Sequence, residues 1–248
     1  MLVRTVKADA FGTKCYLIAP GPDNDCALVD PGIGVAAKLP DALAAYGLRP
    51  RAVLLTHGHL DHTGSVTEVC ERYRIPLHLH PSDHWMLSDP LAGLGEKVAP
   101  KFEEFLGADW KWEEPSEVES LAHGDVLEFA GVSMQVDHTP GHTKGSVMFN
   151  LSGDVRVPGY CLVGDTLYAG DIGRTDQPSG DRGDCLRSLR SLLDKPRGTV
   201  LYTAHEEDSD LATESTVNPF VWEAARWSGS GTPPTTAETL RDFKARRK

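Results

Sequence analysis

Three histidines and one aspartate fall within six consecutive positions: His57, His59, Asp61 and His62. The apolar run at residues 52–55 directly precedes them and predicts a buried β-strand. His57 and His59 can point at one cation, whereas Asp61 and His62 can reach a second cation a few ångströms away. Neutral imidazoles mixed with a carboxylate suit zinc, iron or manganese better than calcium or magnesium. The stretch therefore predicts a metal site at the end of a strand.

Gly58 stands between the first two histidines, where a glycine permits the turn that brings the side chains together. The alternative is a polar loop that happens to contain histidines, because a single histidine is more often structural than a ligand. Four candidate ligands in six residues after an apolar strand favour the metal site.

The run HGHLDH at residues 57–62 resembles the H-x-H-x-D-H signature of the metallo-β-lactamase-fold hydrolases. Three later sites match the remaining ligands of that superfamily in the same order, namely His142 in GHT, Asp165 in GDT and His205 in AH. The resemblance covers the chain from about residue 10 to about residue 220. It implies an α/β fold, a metallo-β-lactamase αββα sandwich of two mixed β-sheets flanked by helices.

The resemblance also implies two divalent metal ions with one shared ligand. The first ion would be bound by His57, His59 and His142, the second by Asp61, His62 and His205, and Asp165 would bridge both. A carboxylate has two oxygens and can bridge, which an imidazole cannot. Zinc is the expected metal, with iron or manganese as alternatives. Asp30, in an Asp-Pro-Gly run that family members share, either shapes a turn or orients a ligating histidine.

The elements that must position these residues alternate between strands and helices. Strands are predicted at 2–6, 15–18, 26–29, 52–55, 76–79, 125–129, 132–136, 146–149, 160–165 and 199–202. Helices are predicted at 35–46, 63–74, 84–87, 96–106 and 181–193, from 218 onward and at 237–248, the last a basic, solvated surface element. A hairpin turn is predicted around Ala130 and Gly131. The segment 82–122 either covers the metals or packs over a sheet edge.

Length, charge and cysteine content narrow the class of protein. One set of sites spread over 248 residues predicts a single domain, 1–248, with a core to about 227 and a short C-terminal tail, 228–248. A net charge of −11 argues against a nucleic-acid partner. The five cysteines are odd in number and lack a C-x-x-C pair, which is typical of packed thiols in a reducing cytosol. Residues 1–20 lack the apolar core of a signal peptide, and no apolar run reaches the length of a membrane span. We therefore expect a cytoplasmic protein without a membrane partner. The sequence leaves the oligomeric state open.

Two neighbouring divalent ions would lower the pKa of a bridging water from about 15.7 towards neutrality and polarise the attacked group. An amide nitrogen must be protonated as it leaves, whereas a thiolate, with a parent pKa of about 8.5, can leave unaided. Asp61 is the only evident general acid among the motif residues. The predicted reaction is therefore hydrolysis of a small-molecule thioester.

The run GDIGRTD at residues 170–176 resembles one typical of glyoxalase II and of the persulfide dioxygenases. Arg174 occupies the position of a glyoxalase II lysine that binds the glycine carboxylate of glutathione, which implies a substrate such as S-lactoylglutathione or a related thiol conjugate. The alternative is an ion pair of Arg174 with Asp176 or Asp171 that fixes the loop. Asp176 replaces a glyoxalase II tyrosine, and only 43 residues follow His205, too few for the C-terminal helical domain of that family.

Three other functions compete with the thioesterase. A persulfide dioxygenase would bind a single iron through His57, His142 and Asp165. The most familiar lactamases of the superfamily are secreted and carry a cysteine at the position of Asp165, which disfavours that activity. A binding module without catalysis is disfavoured because all seven ligands are present.

Overall fold

A computed structural model of the chain describes residues 1–107, 110–129, 131–152 and 159–246. Within these ranges, two six-stranded β-sheets face each other across an apolar core, and helices cover their outer faces. The α/β fold with two mixed sheets that the sequence predicted is confirmed.

The first sheet follows chain order. It contains β1 (Leu2–Lys7), β2 (Lys14–Ala19), β3 (Asp25–Val29), β4 (Arg49–Leu54), β5 (Leu77–Leu79) and β6 (Val118–Ser120). The first three strands form the predicted antiparallel meander, and β3 to β6 pair in parallel. The parallel strands therefore all end at the same edge of the sheet.

The second sheet has the order β12-β11-β10-β9-β8-β7. Its strands are β7 (Val126–Phe129), β8 (Val132–His138), β9 (Val147–Ser152), β10 (Tyr160–Gly164), β11 (Val200–Thr203) and β12 (Ser209–Asp210). Only β10 and β11 pair in parallel. The β7–β8 hairpin is antiparallel as predicted, although Ala130 of its turn lies outside the described residues.

Nine α-helices lie in the described ranges. They are α1 (Val35–Ala44), α2 (Leu60–Thr63), α3 (Val66–Tyr73), α4 (Trp85–Ser88), α5 (Ala99–Leu106), α6 (Arg182–Leu192), α7 (Leu211–Val217), α8 (Pro219–Arg226) and α9 (Thr236–Arg246). Short 3₁₀ turns cover Pro81–Asp83 and Ala92–Leu94. The sequence did not predict β6, β12 or α7, because each is short and weakly patterned.

Pro40 lies beyond the first turn of α1, where a proline removes the hydrogen bond to the carbonyl four residues earlier. The guanidinium of Arg72, on α3, donates to the oxygen of Ala36 at 2.7 Å. This contact satisfies the carbonyl that Pro40 cannot reach and joins the two helices on the outer face of the first sheet.

The core between the sheets explains why whole strands are apolar. Ile18 and Leu54 from the first sheet pack in one cluster with Met134 and Phe149 from the second. A further cluster lies between the first sheet and helices α1 and α3, and another between the second sheet and helices α6 and α8. Because both faces of β2 are covered, all six of its residues are buried.

The C-terminal helix differs from its prediction as a solvated element. The ring of Phe243 on α9 is only 6% exposed and lies 5.7 Å from the ring of Trp222 on α8. The guanidinium of Arg182 donates to the hydroxyl of Thr239 at 3.1 Å. This end of the chain therefore packs on α6 and α8; Arg247 and Lys248 lie outside the described residues.

All five cysteines are free, and all but Cys70 are buried, as expected for packed thiols. Burial raises the pKa of Cys161 to about 12, so this thiol is uncharged at neutral pH. Among the helices of the described ranges, none combines the length and the apolar character needed to cross a bilayer.

Candidate metal centre

The seven predicted ligands sit in loops and helix starts that directly follow strands. They come after β4, β8, β10 and β11, that is, after strands of both sheets. Parallel pairing aligns β3 with β4 and β10 with β11, so the residues that follow each pair emerge together. The structure brings all seven side chains to this one edge of the sandwich.

The first cluster consists of three buried imidazoles. His57 Nε2 lies 3.1 Å from His59 Nδ1, and His59 Nδ1 lies 2.9 Å from His142 Nε2. Their second nitrogens are already engaged: His57 with the hydroxyl of Thr56, His59 with the Gly93 carbonyl and His142 with the Arg174 carbonyl. The three remaining nitrogens therefore converge on one point and could hold a metal ion.

The second cluster adds a carboxylate. Asp61 Oδ2 lies 3.4 Å from His62 Nε2 and 3.4 Å from His205 Nε2. Thr13 donates its hydroxyl hydrogen to the same oxygen at 3.0 Å. Asp61, His62 and His205 form a second set that could hold a cation.

Asp165 stands between the two clusters and directs one oxygen to each. Its Oδ2 lies 3.5 Å from His142 Nε2, whereas its Oδ1 lies 3.3 Å from His62 Nε2 and 3.5 Å from His205 Nε2. Asp165 Oδ1 and His62 Nε2 are buried and, among the described residues, have no hydrogen-bond partner. Buried polar atoms of this kind normally have one.

The spacing of these atoms fits a bound cation. With bonds of about 2.0–2.1 Å, the ligand atoms of a tetrahedral ion lie roughly 3.4 Å apart. The contacts within both clusters, 2.9–3.5 Å, are close to that spacing. Two divalent ions therefore fit the donor set, which matches the metal content that the resemblance implied.

The charges of the two clusters differ. Burial and the neighbouring His142 lower the pKa of His59 to about 3. In the second cluster burial opposes protonation of His205, but the nearby carboxylates of Asp165 and Asp61 outweigh it and raise the pKa to about 10. Burial also acts against ionisation of Asp61, but His62 and His205 lower its pKa to about 2. In the metal-free protein His57 and His59 of the first cluster are neutral at pH 7, and the second cluster contains an imidazolium beside ionised carboxylates.

Asp30, predicted either to shape a turn or to orient a ligating histidine, contacts the second cluster. Its Oδ2 lies 3.1 Å from His62 Nδ1 and accepts the Thr56 hydroxyl hydrogen at 2.7 Å, while its Oδ1 accepts the Thr56 amide hydrogen. Asp30 itself adopts a left-handed backbone conformation with φ 54°, which aspartate tolerates better than most residues. The carboxylate thus orients the His62 ring so that Nε2 faces the cation site.

Asp83 is a functional residue that sequence analysis missed. Its carboxylate is fully buried and accepts hydrogen bonds from the Gly58 amide at 3.0 Å, the Thr143 hydroxyl at 2.6 Å and the Gly145 amide at 2.8 Å. It therefore ties the loop of His57 and His59 to the loop of His142. No sequence signal distinguishes it, because an aspartate two residues after Pro81 at a helix start is ordinary capping chemistry.

Two glycines lie where neighbouring residues approach closely. Gly58 does not have a positive φ, and a Cβ there would lie 3.0 Å from the Asp83 carbonyl oxygen and from Met86. Gly164, with φ 50°, passes Thr56 so closely that a Cβ would lie 2.7 Å from its side chain. Gly164 ends β10 and Thr56 follows β4, so the ends of the two sheets meet at this second position.

A cleft of about 580 Å³ opens onto both clusters. Apolar side chains line one part of it: Phe11, Leu94, Val98, Phe102 and Ile172. Arg174 lines it too, but its guanidinium makes two 2.9 Å hydrogen bonds to Asp176. The predicted alternative, an ion pair that fixes the loop, is thus present.

Part of the 82–122 segment covers the two ligand clusters, since Leu94, Val98 and Phe102 belong to it.

Tyr168 also lines this cleft and was not singled out in the sequence. Its hydroxyl donates a short hydrogen bond to Asp165 Oδ2. Burial and the adjacent Asp165 raise the pKa of Tyr168 well above its ordinary value, so the phenol remains a donor. The tyrosine therefore holds the carboxylate that the two clusters share.

Comparison with known proteins agrees with this geometry. The family model of the metallo-beta-lactamase superfamily matches residues 8–205 of the sequence. An uncharacterized protein of Mycobacterium leprae is 40% identical, covering 89% of this chain and 99% of its own. A Bacillus subtilis protein named probable metallo-hydrolase YqgX is 33% identical over 89% of this chain and 95% of its own. Hydroxyacylglutathione hydrolase GloC of Haemophilus influenzae is 29% identical over 89% and 98%.

Two solved structures are similar along almost their whole length. The B3 metallo-beta-lactamase BLEG-1 has a TM-score of 0.75 and 27% identity, covering 89% of this chain and 99% of its own. TTHA1623, solved in a di-iron-bound form, has a TM-score of 0.70 and 30% identity, covering 88% and 100%. Fold, ligand clusters and relatives agree that the chain belongs to the metallo-beta-lactamase superfamily and is a metal-dependent hydrolase.

Proposed function

We propose that the protein is a dinuclear hydrolase of small-molecule thioesters. The position of Asp165 carries the proposal, because one carboxylate oxygen faces each histidine cluster. A mononuclear site would need only one of these clusters. Here Asp165 Oδ1 and His62 Nε2, which have no hydrogen-bond partner among the described residues, lie on the side that a single ion at His57, His142 and Asp165 Oδ2 would not use.

His57, His59 and His142 would hold one ion, Asp61, His62 and His205 the other, and Asp165 both. When bound, two divalent ions supply a hydroxide at neutral pH and polarise the substrate carbonyl. The protein orients these groups: Asp30 fixes the ring of His62, and Asp83 fixes the two loops of the first cluster. We propose zinc, with iron or manganese as alternatives; the di-iron form of TTHA1623 makes iron a metal worth testing.

The leaving group favours a thioester. Asp61, the predicted general acid, lies 3.4 Å from both His62 Nε2 and His205 Nε2, so it serves first as a ligand. A thiolate leaving group needs no proton donor, whereas an amine leaving group does. The hydroxyacylglutathione hydrolase of Haemophilus influenzae supports the same substrate class.

Glutathione itself is less well supported as the thiol carrier. Arg174, the residue proposed to bind its glycine carboxylate, already makes a bidentate pair with Asp176. A glutathione carboxylate would have to displace that aspartate. We therefore propose a broad class of thioester substrates.

We also propose that the protein works in a reducing cytosol, which its five free thiols support.

The first test is the metal content of protein purified without chelator, measured by elemental mass spectrometry. About two equivalents per chain, together with hydrolysis of S-lactoylglutathione or a simpler acyl thioester, is the expected result. One equivalent of iron, with oxygen uptake on glutathione persulfide, would instead identify a mononuclear dioxygenase. Turnover of a chromogenic β-lactam but of no thioester would point to a lactamase like BLEG-1.

A pair of variants separates the dinuclear hydrolase from the mononuclear enzyme. His205→Ala removes a ligand of the second cluster only, so a dinuclear enzyme loses one metal equivalent and most of its activity. A mononuclear iron enzyme that uses His57, His142 and Asp165 would keep its single iron and its activity in this variant. His138→Ala is the matched control, because that ring stacks on His80 at 4.1 Å and bonds the Lys144 carbonyl, outside both clusters.

A further inference from the structure

We propose that the cleft selects thioesters with an apolar acyl group, which lies against the rings of Phe11 and Phe102. The inference rests on the proposed thioesterase function and extends it by naming the acyl class. The apolar wall of the cleft, formed by Phe11, Leu94, Val98, Phe102 and Ile172, carries the argument.

The apolar wall is firmly built and begins beside the metal ligands. Leu94 and Phe102 are 3% and 2% exposed, and the ring of Phe102 lies 5.0 Å from that of Phe11. His59 Nε2 bonds the carbonyl of Gly93, next to Leu94, at 3.2 Å, and His205 Nδ1 lies 3.4 Å from the Phe11 carbonyl. A group attached to a carbonyl between the clusters therefore meets this wall first.

Phe11 has one feature that packing does not explain. Its side chain is 65% exposed, although contact of a large apolar side chain with water is unfavourable. Its backbone, with φ 51°, forms the turn between β1 and β2 together with Gly12, so the hairpin holds the ring at the mouth of the cleft. A ligand that covers the ring would remove its exposed surface from water.

The polar side of the cleft suits the thiol carrier rather than the acyl group. Arg174 and Asp176 satisfy each other, and the amide of Gln177 donates to the Leu94 carbonyl at 3.3 Å. Lys101 lines the cleft and makes no ion pair within the described residues. Biological thiol carriers are polar and often anionic, so the carrier would lie towards Lys101, and the acyl chain would lie on the apolar wall.

The test uses metal-loaded, full-length protein and N-acetylcysteamine thioesters, which share one small thiol. We expect kcat/KM to rise about threefold per methylene from acetyl to butanoyl to hexanoyl, in line with the transfer of methylene groups from water. A lactoyl thioester should be a poorer substrate than butanoyl. Unreactive ketone analogues, with a methylene in place of sulfur, should show the same trend in Kd by calorimetry.

Two exposed phenylalanines provide matched variants. Phe11→Ala should reduce the hexanoyl-to-acetyl ratio of kcat/KM by about tenfold or more, whereas Phe105→Ala, on α5 but outside the cleft lining, should leave it unchanged. If thioesters are hydrolysed with the same kcat/KM whatever the acyl length, the inference about the acyl group is wrong, but the thioesterase function is not contradicted. Ketone binding that strengthens with chain length, without hydrolysis of any thioester, would instead overturn the thioesterase and leave an apolar binding site.

Discussion

The first ligand cluster, His57, His59 and His142, differs from the second, Asp61, His62 and His205, in charge rather than in construction. All their members are buried except the half-buried His205, and both clusters have outer nitrogens bonded by neighbouring residues. Burial and the other histidines lower the pKa of His57 well below its ordinary value. In the second cluster burial is outweighed by Asp61, Asp165 and Asp30, which raise the pKa of His62.

This difference determines what a metal ion must displace. A cation that enters the first cluster meets His57 and His59, which are neutral and have free lone pairs. A cation that enters the second must release protons, because metal ligands bind only when deprotonated. At neutral pH we therefore expect the first cluster to fill before the second, and Asp165, which belongs to both, to couple them.

The largest effect should come from Asp165→Ala, which removes a ligand from both clusters at once. We expect kcat/KM to fall by more than about 10³-fold, beyond the loss typical of a single transition-state contact. Elemental analysis should show fewer than two metal equivalents, while circular dichroism stays normal. The exposed Asp194 provides the control, since Asp194→Ala removes an acidic side chain away from both clusters. Full activity in Asp165→Ala would contradict the shared-ligand geometry.

The second prediction is that pH separates the two binding steps. His205 has a pKa of about 10 in the free protein and is protonated at pH 7, so raising the pH removes a competing proton. His59, with a pKa of about 3, is already neutral. The pKa of His62 is raised as well, so a second proton can be released. Between pH 6 and 8, the affinity of the second zinc ion should therefore rise by at least about tenfold per pH unit, and that of the first ion by far less.

Calorimetric titration of metal-free protein at pH 6, 7 and 8 measures both steps. His205→Gln, which cannot be protonated in this range, should reduce the pH dependence of the second step, because only the proton of His62 remains to be released. Equal slopes for the two steps would show that the charge difference between the clusters does not control loading.

The third prediction uses two carboxylates that each support one cluster. Asp83→Asn should weaken the first ion about 10- to 100-fold, because Asp83 joins the loops of His59 and His142. Asp30→Asn should weaken the second ion by a similar factor, because Asp30 orients His62. Metal titration of both variants checks the pattern, and each serves as the control for the other. Equal weakening of both ions in either variant would contradict independent support.

The contrast between these two aspartates shows what the sequence could predict. Asp30 lies directly after an apolar strand in a recognisable Asp-Pro-Gly run, so its role was among those expected. Asp83 is 21 positions beyond His62 and reaches its partners Gly58 and Gly145 only through tertiary packing. Strand ends and ligand types follow from local pattern, and so the sandwich and the ligand clusters were predictable. Supporting contacts between distant loops leave no local signal.

Short elements were missed for the related reason that their stability comes from neighbours. The two-residue strand β12 exists because it pairs with β11, and α7 is capped by Asp210, whose side chain accepts the Thr213 amide hydrogen. The C-terminal helix was predicted as solvated because its charged residues conceal the spacing of Thr239 and Phe243, the two side chains that it buries.

The smallest expected effect belongs to Tyr168→Phe, which tests how tightly the shared carboxylate must be held. The phenol donates to Asp165 Oδ2, the oxygen nearer the first cluster, and its ring lies 5.6 Å from that of His205 in the second. Loss of this hydrogen bond leaves the carboxylate beside His62, His142 and His205, so it should lower kcat about threefold to tenfold and leave two metal ions bound. Tyr202→Phe, which removes a hydroxyl from a ring stacked on Tyr160 outside the cleft, is the control. A loss as large as that of Asp165→Ala would mean that the hydroxyl takes part in the reaction itself, because orientation of one ligand cannot account for an effect of that size.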